Sequence, residues 1–423
     1  MTTHPRLSES TSLPHYTSTV SLPEYSPNLR HGERLLTQTL SGREPSRPTG
    51  AYVRRCGRET LVLFNQQPGV HSPVYGRGAR VCGEIRIESP ECISSVVLQM
   101  RGKMDVTLKN RGCTAMRTLR QNCVLWAYDP NCARCPARLP FSACLPTTFH
   151  GDDHAVYPLP PSYELILPGF FAKSAYRLCL VITRDDHKHQ LLSSDNTMTV
   201  PFCYRPGSYV PRLPCRPRTF LRDIKTRPEE WRQVVIQIPT LPHADIEPLH
   251  LSLFFPKANE WGVRDTVPIH LQLTGPASLV QHFRVPHVPG LGTSQSIRCS
   301  LQRDIVIEMN HCQTTRRVVI GHGQITPCAP PTRAWHTDQN SGYTTTLDWD
   351  GELCCDADVI VGAFDAGLIE VQDFIVVEIT PPRALLAQIA PVRHTVPIVL
   401  VAESAALSEG LYDGAPGVPS TEL

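Results

Sequence analysis

The side chains able to carry chemistry are few and scattered along the chain. Cys123, Cys132, Cys135 and Cys144 contain one C-x2-C step, the shape of half a zinc site. Structural zinc needs four converging ligands, usually from two such steps. Here the other spacings are long and cross strand-like sequence, so these thiols are read as core and loop residues. Asp185-Asp186 and His187-Lys188-His189 sit between the apolar positions Ile182 and Leu191, a composition that a hairpin loop explains without catalysis. Asp348, Asp350, Glu352, Asp356 and Asp358 offer oxygen ligands for calcium, yet acids spaced along a strand point apart or line one exposed face. The G-x-S-x-G elbow, the Walker G-x-x-x-x-G-K, the dinucleotide G-x-G-x-x-G and the H-E-x-x-H helix do not occur. The expectation is a protein that is not an enzyme, with no catalytic residue, no metal and no cofactor.

Recognition chemistry is better represented. Leu13-Pro14-His15-Tyr16 and Leu22-Pro23-Glu24-Tyr25 are two copies of L-P-x-Y. A proline-stiffened extended peptide with one tyrosine suits the aromatic groove of a WW domain, because little conformational freedom is left to lose on docking. Leu13, Pro14, Tyr16, Leu22, Pro23 and Tyr25 are therefore candidate WW contacts, the alternative being an ordinary polar tail. The stronger ligand of this kind, P-P-x-Y, occurs at Pro160-Pro161-Ser162-Tyr163, inside strand-like sequence where packing would deny it to a groove. Arg212, Arg216, Arg218 and Arg222 concentrate positive charge in a proline-rich stretch. They form either a solvated connector or a contact for phosphorylated tails or anionic lipid headgroups. The formal net charge of +2 argues against bulk electrostatic binding to nucleic acid or membrane.

The elements that must position these residues are strands. Forty prolines and 26 glycines beside 41% apolar residues suit a loop-rich β-protein, and 423 residues leave room for two or three domains. Leu159–Arg184 is the organising stretch: a proline-bearing edge segment, Pro168-Gly169, then Tyr176, Leu178, Leu180 and Ile182 on one parity. Val96, Leu98, Met100, Gly102, Met104, Val106 and Leu108 mark a second long strand, opposed by Gln99, Arg101, Lys103 and Asp105, with Gly102 allowing a bend. Alternation recurs at Val81–Ile87, Leu249–Phe255, Val267–Leu273, Arg298–Met309, Arg316–Ile320, Thr344–Leu353, Phe374–Ile379 and Val396–Leu400. Tyr75-Gly76 through Ile87 superposes without a gap on Trp261-Gly262 through Leu273, which suggests an internal duplication.

The expected organisation is all-β: two tandem immunoglobulin-like β-sandwiches with disordered tails. The segments are a disordered tail with L-P-x-Y motifs (1–49), a first sandwich (50–203), a Pro/Arg-rich linker (204–246), a second sandwich (247–402) and an acidic disordered tail (403–423). No secretory leader or membrane-spanning run is read, and the 16 cysteines are expected to be reduced in a cytoplasmic protein.

In Val74–Gly78, Leu159–Glu164, Pro201–Arg212, Phe255–Gly275 and Gly362–Pro381 the chain resembles arrestin-like (alpha-arrestin) proteins, especially fungal ones, over about residues 50–402. The resemblance implies a scaffold that recruits a WW-domain, HECT-type ubiquitin ligase to the cytosolic tails of membrane transporters or receptors and promotes their endocytosis. It would sit in the cytoplasm, recruited to the plasma membrane or endosomes, touching membrane only through cargo or headgroups. The resemblance also implies ubiquitination of the protein itself, for which Lys188 and Lys225 are the accessible candidates. A retromer-like arrestin-fold subunit, a scaffold for endosomal sorting without a ligase, is the alternative.

Overall fold

The computed structural model describes residues 49–91, 93–129, 134–184, 194–207, 224–244, 246–258, 260–284, 296–310, 312–328 and 344–402. The chain divides into Met1–Ser46 and a compact unit, Arg47–Leu423. All the residues described belong to the second unit, and most of them lie in strands of curled sheets.

Beside a two-stranded sheet of β8 (Thr148–His150) with β9 (Val156–Pro158), the first half of this unit carries two larger sheets. One is antiparallel, in the order β1 (Gly50–Cys56), β2 (Glu59–Gln66), β4 (Arg80–Ile87), β7 (Arg138–Cys144). The other runs β3 (Val74–Tyr75), β12 (Ser194–Tyr204), β11 (Phe170–Arg184), β5 (Ile93–Leu108), β6 (Gly112–Ala127), with β10 (Tyr163–Leu167) also paired to β11. The even parity of β5 and β11 faces inward: Val96, Leu98, Met100, Met104, Leu178, Leu180 and Ile182 share one buried cluster with Leu61, Leu63, Val81 and Ile85 of the first sheet. The turn from β10 to β11 places Gly169 at φ +72°, a left-handed conformation that explains glycine after Pro168.

The second half forms one hydrogen-bonded ladder. Its order is β13 (Trp231–Ile238), β14 (Leu249–Pro256), β16 (Val267–Pro276), β19 (Thr344–Cys355), β18 (Cys312–Pro327), β17 (Ile297–Met309), β21 (Ile369–Ile379), β22 (Val392–Val401), β15 (Glu260–Gly262), with β20 (Phe364–Asp365) also paired to β21. The sheet curls so that residues from its two ends, such as Leu251 and Leu271 on one side and Ile375 and Val396 on the other, occupy one core. Strand β13 falls within the stretch 204–246 that the sequence assigned to a linker. Trp231, Ile236 and Ile238 are buried there, so this part of the stretch belongs to the sheet.

The Tyr-Gly and Trp-Gly similarity has a topological counterpart. Each aromatic-glycine segment makes a short parallel pairing with the last strand of its own half, β3 with β12 and β15 with β22. The halves also share packing. On β17, Ile297, Cys299 and Leu301 belong to the second core, whereas Ile305, Ile307 and Met309 belong to the first. Strand β21 does the same, with Ile369 and Val371 in one core and Ile375, Val377 and Ile379 in the other.

Candidate functional site: a cationic sheet face and the junction beside it

Opposite the buried face of β5 and β11 lies a row of cations. Arg101 pairs directly with Arg177 across β5 and β11, and with Arg120 across β5 and β6. Three arginines thus stand side by side on neighbouring strands. One same-face step along, Lys103 pairs with Arg117, and one step further Lys173 pairs with Asp105. Like charges directly opposite one another tend to destabilise a sheet.

The six cations Arg101, Lys103, Arg117, Arg120, Lys173 and Arg177 line one cavity of about 650 Å³, floored in part by Gly102, Leu119 and Tyr176. Two of the six are neutralised in place: Lys103 by Asp105 at 2.7 Å and Lys173 by Glu164 at 3.0 Å. Arg101 donates to Gln99 Oε1, which is uncharged. Among the described residues, Arg117, Arg120 and Arg177 have no carboxylate partner. Their guanidinium groups keep a permanent charge and a fork of donors, the combination suited to phosphate or carboxylate oxygens.

Local geometry brings the row together through an irregularity. The β5–β6 register shifts between Gly102 and Lys103, so Thr118 is an extra residue and Arg117 and Arg120 both reach the cavity. Gly102 is required there, because a Cβ would lie 2.6 Å from the Tyr176 ring. The sequence places a bend at Gly102; the register shift falls there, and the glycine also permits this close approach.

The P-P-x-Y segment is committed to the fold. Pro160 and Pro161 are buried, and the Pro160 carbonyl accepts a hydrogen bond from the Tyr176 hydroxyl at 2.5 Å. Ser162 N–H donates to the Tyr204 carbonyl, and the Tyr204 N–H donates to Ser162 Oγ, each at 2.8 Å. Tyr163 stacks edge-on against Phe364 of the second half, with ring centroids 5.5 Å apart. Burial raises the Tyr163 hydroxyl to about 12, an effect that the nearby Arg303 opposes.

Arg303 and Asp373 occupy the point where β17 and β21 leave one core for the other. They form a two-pronged ion pair of 2.7 and 3.0 Å, with both residues buried. Burial raises the Asp373 carboxyl pKa even though Arg303 lowers it. Arg303, Tyr163 and Val318 line a second cavity of about 580 Å³ at this junction.

Of the residues singled out in the sequence, Lys225 is exposed. Leu13, Pro14, Tyr16, Leu22, Pro23, Tyr25, Lys188, Arg212, Arg216, Arg218 and Arg222 lie outside the described residues, as do His187, His189 and Cys132. Cys135 is buried, with burial raising its thiol pKa. No helix among the described residues is long and apolar enough to cross a membrane. Comparison with the models of known families and with curated proteins returned no match.

Proposed function

We propose that this chain is an arrestin-like trafficking adaptor. In this reading its halves are tandem immunoglobulin-like sandwiches that hold the cytosolic tail of a membrane transporter or receptor. The N-terminal L-P-x-Y peptides bring a WW-domain, HECT-type ubiquitin ligase to that cargo, and ubiquitination and endocytosis follow. The repeated parallel closure of each half supports the tandem architecture.

The observation that carries the functional reading is the Arg120–Arg101–Arg177 row. A sheet that sets three arginines abreast gains their mutual relief only when an anion sits between them, and a phosphorylated or acidic tail segment supplies one. The locked P-P-x-Y favours a second reading, the ligase-independent sorting scaffold, because the stronger of the two ligand types is unavailable for docking.

Two variants separate the two halves of the proposal. Arg101→Gln/Arg177→Gln should lose affinity for a multiply phosphorylated peptide at least tenfold in a fluorescence-anisotropy titration while still co-purifying with a WW-domain ligase. Tyr16→Ala/Tyr25→Ala should behave in the opposite way. Equal peptide affinity in wild type and the arginine variant would remove the cargo site. Undiminished ligase recovery with the tyrosine variant would remove the L-P-x-Y mechanism.

A further inference from the structure

On the outer face of the second half's sheet, turned away from its core, lies a histidine with no exposed surface. His270 is in β16, on the parity opposite Ile269, Leu271 and Leu273, and Phe254 covers it with ring centroids 5.8 Å apart. Both ring nitrogens are engaged. Nδ1 is 2.7 Å from Asp350 Oδ1, and Nε2 is 3.2 Å from Asp348 Oδ1. Asp348 is held in turn by Gln272 Nε2 at 2.9 Å. Cys328, just beyond β18, is anchored by its N–H to the Asp348 carbonyl at 2.8 Å. Ligand atoms of His270, Cys328 and Asp350 all lie within 4.8 Å of one another.

From this arrangement we infer that His270, Cys328 and Asp350 form a zinc-binding site. Imidazole nitrogen, thiolate sulfur and carboxylate oxygen suit a borderline-soft divalent ion, and three protein ligands leave one tetrahedral position for water or a partner's side chain. The outer shell supports the same assignment. A metal-bound imidazole commonly donates its other N–H to a carboxylate that is itself hydrogen-bonded, and Asp348 with Gln272 supplies that relay.

The ligands come from β16, from the residue after β18 and from β19, three strands that neighbour one another in the ladder, so one ion would clip the end of β18 in place. Zinc at about 2.0 Å from both nitrogen and oxygen would spread the short Nδ1–Oδ1 contact to about 3.3 Å. Asp350, with 37% of its side chain exposed, has room to rotate that far and opens a path for entry. The balance is simple: zinc displaces the Cys328 thiol proton and any proton on Nδ1, and the two anionic ligands cancel the ion's charge.

The test uses the full-length protein, stripped with chelator and re-equilibrated with zinc at a buffered micromolar concentration. Wild type should retain one more equivalent of zinc than Cys328→Ser, and one more than Asp350→Asn, by elemental mass spectrometry. Taking the difference between proteins discounts zinc bound by other cysteines. Loading with Co²⁺ should produce near-ultraviolet thiolate-to-cobalt absorption in wild type that Cys328→Ser lacks. Circular dichroism identifies which variants remain folded, and either folded variant suffices for the comparison. Equal zinc content in wild type and a folded variant, or wild type without zinc, overturns the site.

Discussion

A buried arginine and a buried aspartate facing each other between two apolar clusters are held by mutual need. Arg303 and Asp373 have lost their water, and the two parallel hydrogen bonds are what each has in its place. Removing one partner leaves the other charged and dry, whereas removing both lets the gap fill with apolar atoms. Asp373→Ala should therefore cost about 3–5 kcal/mol of unfolding free energy, and Arg303→Met/Asp373→Leu far less. Urea titration of the three proteins checks the order, and equal losses would refute the pairing argument. Gly102→Ala is a second residue-scale case. The methyl group meets the Tyr176 ring and the Thr118 side chain, so the expected loss is about 1–3 kcal/mol by the same titration.

At the scale of elements, strand legibility followed burial. Strands with one parity in a core, such as β5, β14 and β16, announce themselves by alternation. Strand β6 does not: it is an edge strand whose buried residues are Thr118 and Leu119, so its sequence carries almost no apolar period. That gap also hid the cationic cavity, because Arg117 and Arg120 ride on β6 and become neighbours of Arg101 only once the pairing is known. Arg101 and Lys103 were visible as outward-facing residues. Nothing in one strand says which strand lies beside it. Strand β13 was missed because its Pro- and Arg-rich approach dominates the composition around it. The arginine row makes a prediction with an unusual sign: Arg177→Gln should raise the melting temperature slightly, by the roughly 0.2–1 kcal/mol of relieved cross-strand repulsion, while weakening phosphopeptide binding. Calorimetry alongside the anisotropy titration measures both, and a destabilised variant would show that the row is not under electrostatic stress.

For the compact unit Arg47–Leu423, the question is whether its halves are separable, and the core answers it. Two tandem sandwiches are what the sequence leads one to expect, with their docking left open, because alternation reports that a face is buried but not which partner buries it. In the structure, Ile305, Ile307, Met309, Ile369 and Val371, contributed by the second half, fill the core of the first. Each of these apolar side chains contributes on the order of 1.5–3 kcal/mol when fully buried, comparable in sum to the whole stability of an ordinary domain. A fragment of residues 49–207 would present that surface to water. It should bind a hydrophobic dye and unfold without a cooperative transition, while a chain retaining both halves melts as one unit. Adding the 224–402 fragment in trans should restore cooperativity, because β17 and β21 would again supply the missing wall. A soluble, cooperatively folding 49–207 fragment would instead make the halves independent modules.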